Sequence, residues 1–170
     1  SSPVNPAARP ACEVWQLDAL EAAAKVEADV AYLDPPYNQH SYLSNYHVWE
    51  TLVRWDAPET YGVARKRVDC RDRKSAFNRR HTCLPALDEV VAALRVRTVL
   101  VSFSADGFVS PEAMLTMLRR HGDVEVRERT HPRYVGAKIG IYNPSGEKVG
   151  VPGPSHVVER LFVLHKSISE

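Results

Sequence analysis

Apolar positions along the chain follow two rhythms in turn. Glu13-Val14-Trp15-Gln16-Leu17 alternates polar and apolar residues and predicts a short strand, and the Ala-rich stretch from Leu20 to Glu27 predicts a helix. Asp29-Val30-Ala31-Tyr32-Leu33 is a nearly continuous apolar run, the pattern of a strand buried on both faces. It stops at Asp34-Pro35-Pro36, where two residues without a backbone donor force the chain out of the sheet as a stiff, extended loop. From Tyr42 to Trp55 the residues Tyr42, Leu43, Tyr46, Val48, Trp49, Leu52 and Val53 recur at helical spacing.

Residues 56–82 are charged and aperiodic, which predicts a long functional or flexible connection. A helix over Leu84–Leu94 and a buried strand over Thr98–Phe103 follow. Ser110 then reads as an N-cap with Pro111 at the first helical position, and Gly122 as the residue that closes that helix. Strands around Val124 and Val126 and over Val157–Leu164 complete the pattern, separated by residues 136–156, which hold five of the eight glycines and predict a mobile loop. Strands alternating with helices and then two final strands predict an α/β domain with a largely parallel sheet, ending in a β-hairpin.

A length of 170 residues suits a single domain. Lys and Arg number 22 against 21 Asp and Glu, so a polyanion partner must be met by local clustering and not by net charge. The chain has no apolar run of the roughly 18 residues that span a bilayer and no secretory profile at its start, so a cytoplasmic protein without a membrane partner is expected. Cys12, Cys70 and Cys83 are odd in number and lack Cys-x-x-Cys spacing, and His40, His47, His81 and His121 are scattered; neither set predicts a metal site. The Pro- and Ala-rich residues 1–12 read as a loop entered in the middle of a larger protein.

The chemistry concentrates at Asp34-Pro35-Pro36-Tyr37. In open α/β sheets ligands bind beyond the carboxyl ends of strands, and Asp34 occupies such an end. The lone pair of an aromatic amine such as adenine N6 is delocalised into the ring, so a catalyst gains by holding the nitrogen pyramidal with two fixed acceptors. The Asp34 carboxylate and a backbone carbonyl, that of Pro35 foremost, are such a pair, and the prolines preorganise it. Tyr37 offers a flat face for an extruded base. A turn that merely stops a strand is the alternative. The densest basic region, Arg65, Lys66, Arg67, Arg71, Arg73, Lys74, Arg79 and Arg80, suits phosphate contacts, against the plainer reading of a solvated loop balanced by Asp69 and Asp72.

The run Tyr32-Leu33-Asp34-Pro35-Pro36-Tyr37-Asn38, with Tyr42, Asn45-Tyr46-His47, Glu50-Thr51 and Trp55 after it, resembles the D12 class of adenine-specific DNA methyltransferases, as does Ser102-Phe103-Ser104-Ala105-Asp106-Gly107. The resemblance implies the C-terminal half of a Rossmann-like class I methyltransferase sheet, S-adenosylmethionine as cofactor and double-stranded DNA as substrate. It implies that Asp34, Pro35, Pro36 and Tyr37 hold the flipped adenine and that Asn38 and the basic segment touch nucleic acid. It places Asp18, with Ala19 and Asp34, at the cofactor. Asp18 reads equally well as the N-cap of the helix behind it.

The family's Phe-x-Gly-x-Gly cofactor loop is not found before residue 13. A truncated catalytic-loop half is therefore expected, with the missing cofactor-binding half or a restriction endonuclease as protein partner. An RNA base-amine methyltransferase and a non-catalytic nucleic-acid-binding remnant are the competing readings.

Overall fold

A computed structural model describes residues 12–104, 107–132, 147, 150 and 155–167. Most of the predicted 136–156 loop, nearly all of the predicted 1–12 loop, and Ala105-Asp106 lie outside the described residues. The elements are α1 (Ala19–Lys25), β1 (Val30–Leu33), α2 (Tyr42–Asn45), α3 (His47–Arg54), β2 (Thr60–Tyr61), β3 (Lys66–Arg67), α4 (Arg80–Ala93), β4 (Thr98–Ser104), α5 (Pro111–Leu118), β5 (Gly122–Pro132) and β6 (His156–Lys166).

The main sheet has the order β1-β4-β6-β5. β1 runs parallel to β4, from Val30 beside Thr98 to Leu33 beside Val101, whereas β6 is antiparallel to both β4 and β5. The described sheet is thus mixed and not largely parallel. β5 and β6 pair antiparallel from Gly122 beside Lys166 to Pro132 beside His156, as the two arms of the expected hairpin do.

Strict alternation on β4 sends Val99, Val101 and Phe103 to one face, where they bury against Phe162 and Leu164 of β6, Leu87, Val90 and Val91 of α4, and Met114 and Leu118 of α5. Val30 and Tyr32, on the other face of β1, are 53% and 60% exposed. The run 29–33 predicts burial on both faces; among the described residues only one face is covered.

Three more expectations change. Residues 13–17 form no strand: Val14 is 94% exposed, and no ladder partner stands beside it among the described residues. The predicted helix 42–55 breaks at Tyr46 into α2 and α3, and its apolar stripe, Trp49, Leu52 and Val53, stays on the surface. Gly122 does not close α5, which ends at Leu118; it opens β5, where a Cβ would overlap the His165 carbonyl. Among the described residues no helix is long and apolar enough to cross a membrane.

The connection 56–82 is organised around one buried cation. Arg67 is 3% exposed; its Nη1 and Nη2 donate to Asp56 at 2.7 and 2.8 Å, its Nε to Asp69 at 3.2 Å, and Nη1 also to Thr51 Oγ1 at 3.1 Å. This bidentate geometry joins the end of α3, the β2–β3 hairpin and the 3-10 turn Val68–Cys70. Hydrogen bonding to Arg67 holds both aspartates below the usual carboxylate range and raises Arg67 itself.

Because those carboxyl pKa values lie below their unfolded value of about 3.9, the stability they contribute is present above that pH and is lost as pH falls through the folded values. Thermal melts between pH 7 and pH 2 should therefore show a steeper acid loss in the wild type than in Arg67→Met, which lacks the cation that the two carboxylates share and leaves Asp69 only the longer contact with Arg54. Parallel acid profiles would mean that the node does not stabilise this region.

Candidate active site

The loop beyond β1 is tethered at the carbonyls of Pro36, Tyr37, Asn38 and His40. Phe108 N–H donates to the Tyr37 carbonyl at 2.8 Å, and the Asn78 amide donates to the carbonyls of Asn38 and His40 at 2.9 and 3.3 Å. His40 N–H donates to Asn38 Oδ1 at 2.9 Å, closing an Asx turn, and the Cys83 thiol lies 4.0 Å from the Pro36 carbonyl. Burial pushes that thiol up from its ordinary pKa. The Tyr37 ring meets Phe103 edge-on, with centroids 6.1 Å apart and planes at 68°. The Asp34 carboxylate and the Pro35 carbonyl, by contrast, have no hydrogen-bond donor among the described residues.

Asp34 borders two clefts. One, of about 410 Å³, runs between the start of α1 and the loop and is walled by Leu17, Asp18, Ala19, Pro35, Phe77 and Leu87. The other, of about 380 Å³, opens on the far side of Asp34 and is walled by Tyr32, Tyr37, Tyr42, Ser102, Ser104 and Glu159. The first is mainly apolar with one carboxylate at each end, and the second is strongly polar. A third, apolar groove between α1, β1 and α4 carries no group able to do chemistry.

Asp18 is the N-cap of α1 and also lines a cleft. Its Oδ1 accepts the Leu20 N–H at 2.9 Å as the N-cap of α1, while the residue still borders the cleft that Asp34 shares. Three further wall residues, Tyr42, Ser102 and Glu159, are not among the site residues expected from the sequence. Tyr42 reads there as part of a helical stripe, and its phenol is raised mainly by desolvation and then by the Asp34 charge. Ser102 had a usable signal, being a polar position at the carboxyl end of the strand paired beside Asp34.

The basic residues separate into distinct environments. Arg65, Arg73, Lys74, Arg79 and Arg80 are exposed and Lys66 is half-buried. Arg65 sits in a left-handed conformation (φ 50°) at the β2–β3 turn, and Arg80 stands over the Phe108 ring at 5.6 Å. Arg67 departs from the expected phosphate-facing set: it is buried and its guanidinium donors are taken by Asp56, Asp69 and Thr51. Among the described residues no group of three or more His, Cys, Asp or Glu side chains converges to hold a metal ion.

Comparison with known proteins gives a match to the D12 class N6 adenine-specific DNA methyltransferases over residues 8–99, a span that contains Asp18, the whole Asp34 loop and the Arg67 node. The chain belongs to that family. It is similar to the Type II methyltransferase M.FokI of Planomicrobium okeanokoites, 34% identical over 110 residues, which is 65% of this chain and 17% of that protein. It is also similar to the Modification methylase StsI of Streptococcus sanguinis, 28% identical over 125 residues (72% of this chain, 19% of that protein). A third relative is the Type II methyltransferase M.CviAII of Paramecium bursaria Chlorella virus 1, 29% identical over 122 residues (72% and 36%). The chain spans less than a fifth of the length of the first two. No solved structure matches.

In this D12 chain the aromatic support of Tyr37 depends on a missing side chain. A Cβ on Gly107 would overlap the Phe103 ring, which backs Tyr37. Gly107→Ala should therefore displace that ring and cost about 1–3 kcal/mol as overpacking, read as a lowered melting temperature. A wild-type melt would show that Phe103 has room to move and that the Tyr37 contact is loose.

Proposed function

We propose that this chain carries the methyl-acceptor centre of an S-adenosylmethionine-dependent, site-specific DNA methyltransferase acting on adenine N6. The observation that carries the reading is the pair of acceptors without donors among the described residues, the Asp34 carboxylate and the Pro35 carbonyl, on a loop tethered at positions 36, 37, 38 and 40. Each accepts one hydrogen of the exocyclic amine, the nitrogen is held pyramidal, and its lone pair points at the electrophile. As the N–C bond forms, the methyl group would come from the sulfonium sulfur of the bound cofactor, which would leave as a neutral thioether. The positive charge gained by the nitrogen would lie beside the Asp34 carboxylate, which would take the amine proton or pass it to water. Tyr37 and Tyr42 border the polar cleft that receives the extruded base, with Pro36 stiffening the approach.

The cleft on the Asp18 side suits the cofactor. Its apolar walls match a purine ring, and Asp18 keeps its second carboxylate oxygen for a donor while Oδ1 caps α1. Asp18, Ala19 and Asp34 would hold the cofactor, which when bound supplies the electrophilic methyl group. Arg65, Lys66, Arg73, Lys74, Arg79 and Arg80 contact phosphates around the base, with the Asn38 amide nitrogen beside them.

The four strands correspond in this reading to the carboxyl half of a Rossmann-like class I sheet. The parallel pair β1–β4, with the site at the carboxyl end of β1 and a closing hairpin, supports it. A restriction endonuclease is the counterpart in the cell. The site of action is the cytoplasm, where DNA is accessible.

Asp34→Ala in the full-length enzyme should abolish methyl transfer and leave duplex affinity within a few-fold of wild type, because the carboxylate acts on the reacting nitrogen while the basic residues carry binding. Turnover near the wild-type rate would remove Asp34 from the mechanism.

Tyr37 should depend on its ring more than on its hydroxyl. Stacking of an extruded base is worth roughly 1–3 kcal/mol, so Tyr37→Ala should lower single-turnover rates about ten- to a hundredfold while Tyr37→Phe stays near wild type. With 2-aminopurine at the target position, Tyr37→Ala should also lose the fluorescence change of base capture. Equal rates for Phe and Ala would assign the ring to packing on Phe103 alone.

A further inference from the structure

Asn78 lies in the middle of the segment whose charges suit DNA, yet it is half-buried and turned toward the Asp34 loop. Its root is rigid. It ends the 3-10 turn Ala76–Asn78, which Ser75 Oγ caps at Phe77 N–H (3.2 Å) and Thr82 Oγ1 holds at the Ala76 carbonyl (2.6 Å). The next residue, Arg79, is the N-cap of α4, whose Cys83, Leu87, Val90 and Val91 are core. From this base one amide nitrogen donates to two carbonyls 38 and 40 positions earlier in the chain.

We infer that Asn78 is a positioning residue for methyl transfer: its side-chain amide clamps the segment after Tyr37 and so fixes the Asp34 and Pro35 acceptors in the geometry the substrate amine requires. The inference rests on the proposed function and deepens it. Both hydrogens of the amide are committed, and the reverse orientation of the group would set its oxygen against two acceptors, so the donor assignment follows from the network. Together with the Phe108 bond to Tyr37, the clamp ties positions 37, 38 and 40 to the core. Pro36 has a fixed φ, which removes one of the torsions between Asn38 and the Pro35 carbonyl that could absorb a displacement at Asn38, and only Tyr37 separates Pro36 from Asn38. A small error there matters, because a displacement of about 1 Å at a reacting centre can cost on the order of a hundredfold in rate.

Two variants test this in the full-length enzyme. Asn78→Asp keeps the shape and exchanges donors for acceptors, and Asn78→Ala removes the clamp without adding charge, so it carries the test should the first not fold. Both should lower the single-turnover methyl-transfer rate about ten- to a hundredfold while duplex Kd stays within about twofold of wild type. Arg79→Ala, one residue on, should show the opposite split, with weaker binding and a shallower salt dependence. Amide exchange over residues 37–40 should be faster in Asn78→Ala than in wild type. Unchanged rates in both Asn78 variants, or losses of affinity as large as the losses of rate, would overturn the inference. A wild-type enzyme that transfers no methyl group to DNA would instead remove the proposed function, and exchange alone would then judge the clamp: unchanged protection over residues 37–40 sinks it.

Discussion

Two adjacent residues that cannot donate a hydrogen bond govern the centre of this molecule. Pro35 and Pro36 end β1, and the chain leaves the sheet with its carbonyls facing groups that must be found elsewhere. Donors from three distant places meet most of that demand: Phe108 at the start of the α5 approach, Asn78 before α4, and the weak Cys83 thiol inside α4. Among the groups they leave without a donor among the described residues are the Asp34 carboxylate and the carbonyl of the next residue, Pro35. A buried acceptor left in this state is costly, but Asp34 is exposed at a cleft and water can serve it until a substrate does. The site is thus a residue of incomplete hydrogen bonding, kept in place by complete hydrogen bonding around it.

The Arg67 node serves the same end at longer range. Residues 56–79 contain only two short strands and two 3-10 turns, too little regular structure to hold a shape by backbone bonds alone. A buried guanidinium satisfied by two carboxylates supplies the missing order, and removing either carboxylate would leave donors of a buried cation without their partner. Cys70, buried and 3.7 Å from the Leu43 carbonyl, adds a second attachment between this segment and α2. The backbone that carries the basic side chains around the node is consequently held in one shape, while the exposed side chains themselves keep their rotamer freedom.

Much of this was legible in residue pattern. The strands around residues 30–33, 98–103, 124–126 and 157–164, the α5 start at Ser110-Pro111 and the abrupt exit at Asp34 follow from periodicity and from proline chemistry, which are local. The Arg67 node was not legible, because its partners Thr51, Asp56 and Asp69 lie up to 16 positions away and share no period. A run of basic residues looks uniform in sequence, whereas burial divides it into an anchor and a surface. The predicted strand 13–17 failed for a related reason. Alternation states only that a segment could line a sheet edge, and pairing depends on a neighbour that alternation does not encode.

Tyr32 shows how the same limit shapes the site. Its apolar run predicts burial on both faces, yet it is 60% exposed and borders both clefts that meet at Asp34. An apolar ring on the uncovered face of an edge strand costs solvation unless something packs on it. Here the ring forms part of the wall between the two clefts, where a planar ligand on either side would cover it. Patterns that mark a core strand and patterns that mark the floor of a ligand site are therefore indistinguishable in one dimension. They separate only when the sheet is built and the carboxyl end of β1 is seen to open onto a cavity and not onto a helix.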